Sequence, residues 1–359
     1  MNRHIDSILV LGLGKVGHLV ALLLHETGFT VTGADLSPEL DLPYIFKQLD
    51  IEDTEHLQQL LDTHHAVVSC LPYHLNARIA QLAAENSTHY FDLTEDVRTT
   101  NEIMELSRSH DIIMAPQCGL APGFIGIIGA ALAGQFEKIR NIRLRVGALP
   151  IHPTGLLGYA FNWSPEGVVN EYLNDCEVIE DGIRKMVSPL EWLETIVIDG
   201  VQLEAFTTSG GLGTMCDTYD GIVENLDYKS IRYPGHAKLM NFFLHELRMR
   251  EDRKKAGQIL VHAKPPVSDD VVYIHASVEG LINNHLSREE FVRSYRPIEI
   301  AGATRRTIAW TTACSICSIV ELAASGTLPA RGFIRQEDIP LKDFLATANG
   351  RFYNTGSGS

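Results

Sequence analysis

Three glycines at fixed spacing are the clearest chemical signal in the sequence. Gly12, Gly14 and Gly17 follow a short apolar run at residues 8–11. This pattern is typical of a dinucleotide site, where the first glycine allows a tight turn, the second a close approach to diphosphate, and the third close helix packing. An anion at the start of the helix would also accept its first N–H groups. We therefore expect the loop to bind a diphosphate through Gly12, Gly14, Lys15, Val16 and Gly17.

An acid follows the predicted second strand, where the adenosine ribose is bound in such sites. Asp35 lies about 20 residues after Gly14. Its carboxylate would accept hydrogen bonds from ribose hydroxyls and repel a 2′-phosphate, and residues 36–38 include no arginine to bind one. We therefore expect NAD as the cofactor, with NADP less favoured. The alternative is a strand–turn–helix that binds no ligand.

The elements that must position these residues alternate between strands and helices. We predict strands at residues 8–11, 29–34, 44–49, 66–70, 90–93 and 112–116, with helices at 15–27, 54–62, 75–85 and 102–109. Such alternation specifies an α/β fold with a Rossmann-type doubly wound parallel sheet, whose ligands lie beyond the carboxyl ends of the strands. Loops at that edge add the candidate cofactor-binding residues Asp53, Cys70, Leu71, Pro72, Gly119 and Leu120.

The pattern changes after residue 139 and predicts a second domain. Polar and apolar residues alternate at 142–146, Asp199-Gly200 is a hairpin signal, and residues 255–263 and 271–278 are predicted as another antiparallel pair. We expect an α+β domain with a mostly antiparallel sheet. The predicted divisions are a Rossmann domain at 1–125 plus 310–350, the second domain at 126–309 and a flexible tail at 351–359.

Composition excludes several classes of partner. The 359 residues include 30 basic and 45 acidic side chains, and the net charge of −15 argues against nucleic acid and anionic membranes. We predict no leader and no membrane span.

Six scattered cysteines indicate free thiols in a reducing cytoplasm. Cys314 and Cys317 form a C-x-x-C without the second pair that zinc needs, so we predict two buried helix residues and no metal.

Four segments in combination resemble the saccharopine dehydrogenase family. They are Leu71-Pro72-Tyr73, Asp92-Leu93-Thr94, Gly119-Leu120-Ala121-Pro122-Gly123 and Arg232-Tyr233-Pro234-Gly235-His236, and the similarity covers nearly the whole chain. Members that act on saccharopine typically carry aspartate where this chain has Ala121, and they are longer. The resemblance is therefore nearest the lysine 6-dehydrogenase branch, which implies oxidation of the side-chain amine of a lysine-type amino acid. It also implies a homo-oligomer, most simply a dimer.

That chemistry requires a base and a carboxylate clamp. An alkylammonium has a pKa of about 10.4 and must lose a proton before a hydride can leave its carbon. A bidentate arginine suits the α-carboxylate. We predict Arg232 as the clamp, and His236 or Glu95 as the base. The alternatives are a surface arginine, a structural histidine and an exposed loop acid.

Other residues are predicted to line the amino-acid pocket. These are Tyr73, Gly123, Trp163, Glu166, Arg232 and Tyr233, although a tryptophan such as Trp163 is more often a core residue. The glycine-rich segment 208–214 lacks a P-loop lysine, so we predict a close backbone approach there. Two other functions stay open: saccharopine-type condensation of an aldehyde with an amino acid, and a non-catalytic NAD-binding sensor.

Overall fold

The computed structural model describes residues 5–37 and 42–356, and the chain divides into two compact units. Unit 1 comprises Met1–Phe124 and Ala309–Asn354. Unit 2 comprises Ile125–Ile308 and Thr355–Ser359. Pro38 and residues 357–359 of the predicted tail lie outside the described residues.

The described residues form the following strands and helices. The strands are β1 (Ser7–Leu11), β2 (Thr30–Asp35), β3 (Ile45–Gln48), β4 (Ala66–Ser69), β5 (His89–Asp92), β6 (Ile113–Ala115), β7 (Lys138–Pro150), β8 (Cys176–Glu180), β9 (Ile183–Val187), β10 (Glu194–Ile198), β11 (Val201–Thr207), β12 (Asn225–Arg232), β13 (Asp270–Ile282), β14 (His285–Tyr295), β15 (Ile298–Ile300), β16 (Ala303–Arg305) and β17 (Gly332–Phe333). The helices are α1 (Gly17–Glu26), α2 (Thr54–Asp62), α3 (Tyr73–Glu85), α4 (Val97–Ser107), α5 (Phe124–Ala133), α6 (Pro165–Glu171), α7 (Met215–Tyr219), α8 (His236–Asn241), α9 (Arg253–Ala263), α10 (Thr307–Ala324) and α11 (Leu341–Ala346). Short turns of π-helix (Phe242–Glu246) and 3₁₀-helix (Met249–Glu251, Gln336–Asp338, Gly350–Thr355) complete them.

Unit 1 contains a parallel sheet of seven strands in the order β17-β6-β5-β4-β1-β2-β3. The predicted Rossmann-type fold is confirmed. The apolar run at residues 8–11 is fully buried because β1 lies in the middle of the sheet. The strand order reverses between β1 and β4, and in open sheets of this kind ligands bind in the crevice at that reversal.

Unit 2 contains a mixed sheet with the main order β10-β11-β12-β7-β13-β14. Strands β7 and β12 are parallel, and the other neighbours along this path are antiparallel. The predicted hairpin at Asp199-Gly200 joins β10 to β11. The predicted mostly antiparallel sheet is therefore confirmed. Aromatic and aliphatic residues of β11, α6 and α8 pack into one buried cluster beside the sheet.

The strand predicted at residues 255–263 is wrong, because this segment forms α9. The side chain of Asp252 accepts a hydrogen bond from the Lys255 N–H (3.0 Å) and so caps the helix. Ala256 and Leu260 are buried one helical turn apart. Three adjacent apolar residues (259–261) suggested a strand, whereas the cap and the helical spacing decide the structure. Strand β13 pairs with β7 and β14 instead.

The C-terminal part of the chain adds structure to unit 1. Strand β17 pairs with β6, and Tyr353, in the 3₁₀ turn Gly350–Thr355, is buried and donates to the Thr311 carbonyl. The predicted flexible tail is therefore wrong for residues 351–355. Helix α10 is long and apolar enough to cross a membrane, but 78% of it is buried inside the protein, as in a core helix.

Candidate cofactor and substrate sites

The glycine loop connects the carboxyl end of β1 to α1. Gly12 has φ +83°, which glycine adopts without strain, and its N–H donates to the Ala34 carbonyl (2.9 Å). A Cβ on Gly17 would lie 1.8 Å from the Gly12 carbonyl oxygen, so helix α1 packs this closely only with glycine there. A Cβ on Gly14 would meet no atom within 4 Å. The need for glycine at position 14 would therefore come from a ligand that approaches the backbone, as a diphosphate does.

The start of α1 offers hydrogen-bond donors to an anion. Val16 is the N-cap residue and makes no side-chain hydrogen bond to the first N–H groups, and no acidic residue stands in the first turn. Lys15 is exposed on the loop. The helix dipole favours negative charge at this end. These features fit the predicted diphosphate.

Asp35 ends β2 beside the glycine loop and holds that loop in place. Its Oδ2 accepts from the Leu13 N–H (2.7 Å), and its Oδ1 accepts from the Ser37 N–H (3.1 Å). Each carboxylate oxygen has a further lone pair, so the same acid can also accept a ribose hydroxyl. Asp35 therefore fixes the turn and fits the predicted ribose contact.

The loop after β4 lies at the reversal of strand order. The Cys70 N–H donates to the Leu11 carbonyl (2.9 Å), which joins the ends of β1 and β4. Leu71 and Tyr73 are half-buried, and Pro72 is the N-cap residue of α3. The predicted residues 70–73 thus lie at the carboxyl edge of the sheet, as does the glycine loop.

Glu95 lies in the loop between β5 and α4, at the same edge. Its side chain is half-buried, and its pKa is raised to about 7, chiefly by burial and further by the charges of Asp96 and Asp92. A carboxyl group whose pKa is near neutrality can take up and release a proton at working pH. Glu95 is therefore suited to acid–base chemistry.

The loop at residues 117–123 runs beside the Glu95 loop. The Cys118 N–H donates to the Asp92 carbonyl (2.9 Å), and Gly119 forms a backbone bridge with Gly123. Leu120 is buried. The predicted residues of this segment are therefore held at the carboxyl edge of the sheet by main-chain hydrogen bonds.

Arg232 ends β12 in unit 2 and is only 4% exposed. Its Nε donates to the Tyr172 hydroxyl (2.7 Å) and its Nη1 to the Ile231 carbonyl (2.8 Å). The guanidinium lies 4.8 Å from the centre of the Tyr159 ring and 5.7 Å from that of Tyr172. A buried arginine stays charged, and these hydrogen-bond partners are neutral oxygens. The cluster therefore suits an anionic ligand such as a carboxylate.

His236 has surroundings that oppose a role as general base. It is 1% exposed, its Nδ1 lies 3.0 Å from the Leu157 carbonyl, and its Nε2 lies 3.1 Å from the Tyr172 hydroxyl. Burial, and then the positive charge of Arg232, lower the pKa of His236 to about 3. A base this weak is poorly matched to an alkylammonium near neutral pH. The hydrogen bonds instead connect His236 to Arg232 through Tyr172.

Two acids that the sequence analysis missed support the Arg232 cluster. Buried Glu204 accepts hydrogen bonds from the Gly235 and Ala237 N–H groups (both 2.7 Å) and so holds the turn after Arg232. Buried Glu171 ends α6, and its charge acts on Arg232. The apolar spacing of α6 could have predicted that Tyr172, next to Glu171, faces inward.

Several predicted site residues have structural roles in the fold. Asp53 caps α2 by accepting from the His56 N–H (3.1 Å). Trp163 packs against the core cluster of unit 2, and the Tyr233 hydroxyl donates to the Pro150 carbonyl (2.9 Å). Glu166 is exposed and lies 3.4 Å from the Ser164 hydroxyl. These contacts leave their predicted ligand roles as predictions.

The backbone of the glycine-rich segment at 208–214 lies close to a neighbouring side chain, as its composition predicts. A Cβ on Gly211 would lie 2.2 Å from the Tyr228 ring, so the backbone packs directly on that ring. The Thr208 hydroxyl lies 2.9 Å from the Ser230 hydroxyl.

The cysteines are buried or half-buried free thiols. Burial raises the pKa of each of the six thiols. Cys314 and Cys317 are buried in α10, as predicted. Within residues 5–37 and 42–356, no group of three or more His, Cys, Asp or Glu residues could hold a metal ion.

Two family models match most of the chain. Residues 8–111 match the saccharopine dehydrogenase NADP binding domain, and residues 119–352 match the saccharopine dehydrogenase C-terminal domain.

Individual relatives have low sequence identity to this chain. Mitochondrial alpha-aminoadipic semialdehyde synthase from Rattus norvegicus is 23% identical over 66% of this chain and 28% of its own length. Saccharopine dehydrogenase [NADP(+), L-glutamate-forming] from Pyricularia oryzae is 24% identical over 53% of this chain and 45% of its own length. The chain thus spans less than half of either relative.

A solved structure shares the fold. Saccharopine dehydrogenase (L-Glu forming) from Saccharomyces cerevisiae superposes with a TM-score of 0.74 at 15% identity, over 95% of this chain and 97% of that chain. At this level of identity the similarity establishes the fold.

Two glycine substitutions separate ligand binding from folding. Gly14→Ala should leave the thermal unfolding midpoint near that of the parent protein, because the new Cβ meets no atom within 4 Å. It should weaken dinucleotide binding about tenfold or more, a loss of about 1.4 kcal/mol, measured by titration calorimetry. Gly17→Ala should instead destabilise the fold by about 1–3 kcal/mol through overpacking. Unchanged dinucleotide affinity in Gly14→Ala would contradict the diphosphate assignment.

Proposed function

Because the chain belongs to the saccharopine dehydrogenase family, we propose that it is a nicotinamide-dinucleotide-dependent oxidoreductase acting on the CH–NH group of an amino acid. The observation that carries the proposal is the buried guanidinium of Arg232, which lies close to two tyrosine rings. Burying a cation is costly, and a substrate carboxylate would add to the compensation that Glu171 and the two tyrosines already give Arg232.

We further propose a lysine-type amine as the substrate. The charged groups that act on Tyr159 and Tyr172 are one cation, Arg232, and one acid, Glu171. L-Lysine carries one carboxylate and two ammonium groups, the α-ammonium beside the carboxylate and the ε-ammonium at the far end of a flexible chain, so the single cation Arg232 suits its single carboxylate. Saccharopine carries several carboxylates and would require more cations. Ala121, in place of the aspartate typical of saccharopine enzymes, points the same way.

The preferred cofactor form is proposed to be NAD. The matching family model is named for NADP, and this favours the phosphorylated form. Against it stands Asp35, whose negative charge beside the glycine loop would repel a 2′-phosphate. We give the local charge more weight, because the choice between the two cofactors depends on the groups around the ribose.

The residues of the chain divide the chemical work. The bound dinucleotide supplies the hydride acceptor. Arg232 would bind the α-carboxylate and fix the orientation of the substrate. Within unit 1, Glu95 is proposed as the proton acceptor that amine oxidation requires, since its pKa of about 7 lets it act as a base near neutrality.

The names of the relatives favour a second candidate. The Pyricularia oryzae relative is a saccharopine dehydrogenase that forms L-glutamate, and the rat relative is an alpha-aminoadipic semialdehyde synthase. A saccharopine-type reaction would condense an aldehyde with an amino acid and reduce the product. The same arginine would serve such a substrate.

A substrate panel tests the proposed function. Absorbance at 340 nm should rise when the protein is mixed with NAD and L-lysine or a similar basic amino acid, and NADP should be the poorer cofactor. Turnover of saccharopine with NADP, and none of lysine, would establish the second candidate instead. Dinucleotide binding without turnover of either panel would contradict an enzymatic role.

Replacement of Arg232 should affect substrate binding more than cofactor binding. In Arg232→Ala, loss of a charge-assisted hydrogen-bonding group should raise the KM for the amino acid about 10- to 100-fold. The dissociation constant for the dinucleotide should stay close to the parent value. The matched control is Arg248→Ala, because Arg248 is exposed and pairs with Glu251 on the surface. A loss of dinucleotide binding in Arg232→Ala would show that the arginine serves another ligand.

Replacement of Glu95 should change the pH dependence of the rate. Because the base must be deprotonated, kcat for amine oxidation should fall as the pH drops through about 7 in the parent protein. Glu95→Gln cannot accept the proton, so kcat should fall about 100-fold or more and that limb of the pH profile should disappear. If kcat of Glu95→Gln still falls as the pH drops through about 7, another group is the base.

A further inference from the structure

Asp92 is a buried carboxylate at the end of β5 that joins two loops at the carboxyl edge of the unit 1 sheet. Its Oδ1 accepts from the N–H of Thr94 (2.9 Å), in the loop after β5, and from the N–H of Gln117 (3.0 Å), in the loop after β6. Its Oδ2 accepts from the Tyr90 hydroxyl (2.7 Å). Its own carbonyl accepts from the Cys118 N–H (2.9 Å). One residue therefore connects both loops.

The second of these loops needs external support. Gln117 has φ +64°, a left-handed conformation that costs a non-glycine residue about 1 kcal/mol or more and persists only where surrounding contacts impose it. Asp92 binds the Gln117 N–H, and the Gln336 side chain donates to the neighbouring Pro116 carbonyl (2.9 Å). The segment is thus clamped from both sides.

The first loop carries Glu95 between two anchored neighbours. Thr94 is bound by Asp92, and Asp96 caps α4 by accepting from the Thr99 N–H (2.8 Å). The Asp96 N–H also donates to the Thr94 hydroxyl (3.2 Å). The backbone on either side of Glu95 is therefore fixed, and Asp92 provides the bond to the body of the sheet.

We propose that Asp92 is a positioning residue, which holds the Glu95 loop and the Gln117 loop in one arrangement at the carboxyl edge of the unit 1 sheet. This role rests on the proposed function, since it is Glu95 that would exchange the proton. Asp92 itself is committed to Tyr90 and to backbone N–H groups. It would act through its neighbours.

The electrostatic surroundings give this role a measurable signature. The titratable groups that interact with Asp92 are Tyr90 on β5, Cys70 after β4, Cys118 after β6 and Glu95 on its own loop. Asp96 acts on Glu95 as well. Negative charge on Asp92 contributes to the raised pKa of Glu95. Removing that charge while keeping an acceptor for the Thr94 and Gln117 N–H groups should therefore lower the pKa of Glu95.

Two substitutions at one position test the proposal. Asp92→Ala removes the acceptor, and kcat should fall about 100-fold, as expected for a small displacement of a catalytic group. Asp92→Asn keeps an amide oxygen for the Thr94 and Gln117 N–H groups, so it should restore most of kcat. Its pH profile should shift to lower pH. The dissociation constant for NAD should change little in either variant, and the exposed Asp111→Asn is the matched control.

A second measurement does not depend on turnover. Amide hydrogen exchange at residues 94, 117 and 118 should speed up in Asp92→Ala and stay slow in Asp92→Asn. If the parent protein oxidises no amino acid, the proposed function fails while exchange still tests the loops. Unchanged exchange or unchanged kcat in Asp92→Ala would overturn the proposal, as would equal loss of kcat in both variants. If Asp92→Ala fails to fold, Asp92→Asn tests the proposal alone. Slow exchange together with a pH profile shifted to lower pH would support it, and fast exchange or an unshifted profile would overturn it.

Discussion

Carboxylates that each accept two backbone N–H groups hold the loops of both units. In unit 1, Asp35 binds Leu13 and Ser37, and Asp92 binds Thr94 and Gln117. The same arrangement occurs in three more places, where Glu204 binds residues 235 and 237, Asp270 binds 307 and 308, and Glu321 binds 348 and 349. A hydrogen bond to a carboxylate is stronger than one to a neutral acceptor. Each carboxylate also accepts from two N–H groups that a buried loop would otherwise leave without a partner. The candidate sites are thus built on loops whose backbones are fixed from inside the fold.

Burial affects the two predicted bases in opposite directions. It disfavours the charged form of any group, so it raises the pKa of the Glu95 carboxyl to about 7 and lowers that of the His236 imidazole to about 3. The positive charge of Arg232 lowers the pKa of His236 further. Histidine is the usual first choice for a base at neutral pH, but only before its surroundings are known. On pKa, Glu95 is the better matched of the two proposed bases.

Local patterns in the sequence were sufficient to predict part of the fold. Apolar periodicity and glycine spacing predicted β1, α1 and the parallel sheet. Each of these two patterns is formed by residues that are neighbours along the chain. The apolar run at residues 259–261 did not reveal α9, whose helical form depends on the cap by Asp252. Tyr159, Tyr172 and Glu204 were not predicted as site residues. These residues reach Arg232 through the fold, for example by the pairing of Glu204 with Arg232 across β11 and β12, and no spacing rule reveals such contacts.

The burial of the six thiols has a consequence for oxidative chemistry. Thiolates, rather than thiols, attack peroxides and disulfides, and each cysteine of this chain has its pKa raised by burial. At neutral pH these side chains stay protonated and poorly nucleophilic. Cys118, at the carboxyl edge of the unit 1 sheet, is further disfavoured as a thiolate by the negative charge of Asp92. Burial therefore disfavours, in each of the six cysteines, the thiolate form that would react with peroxide.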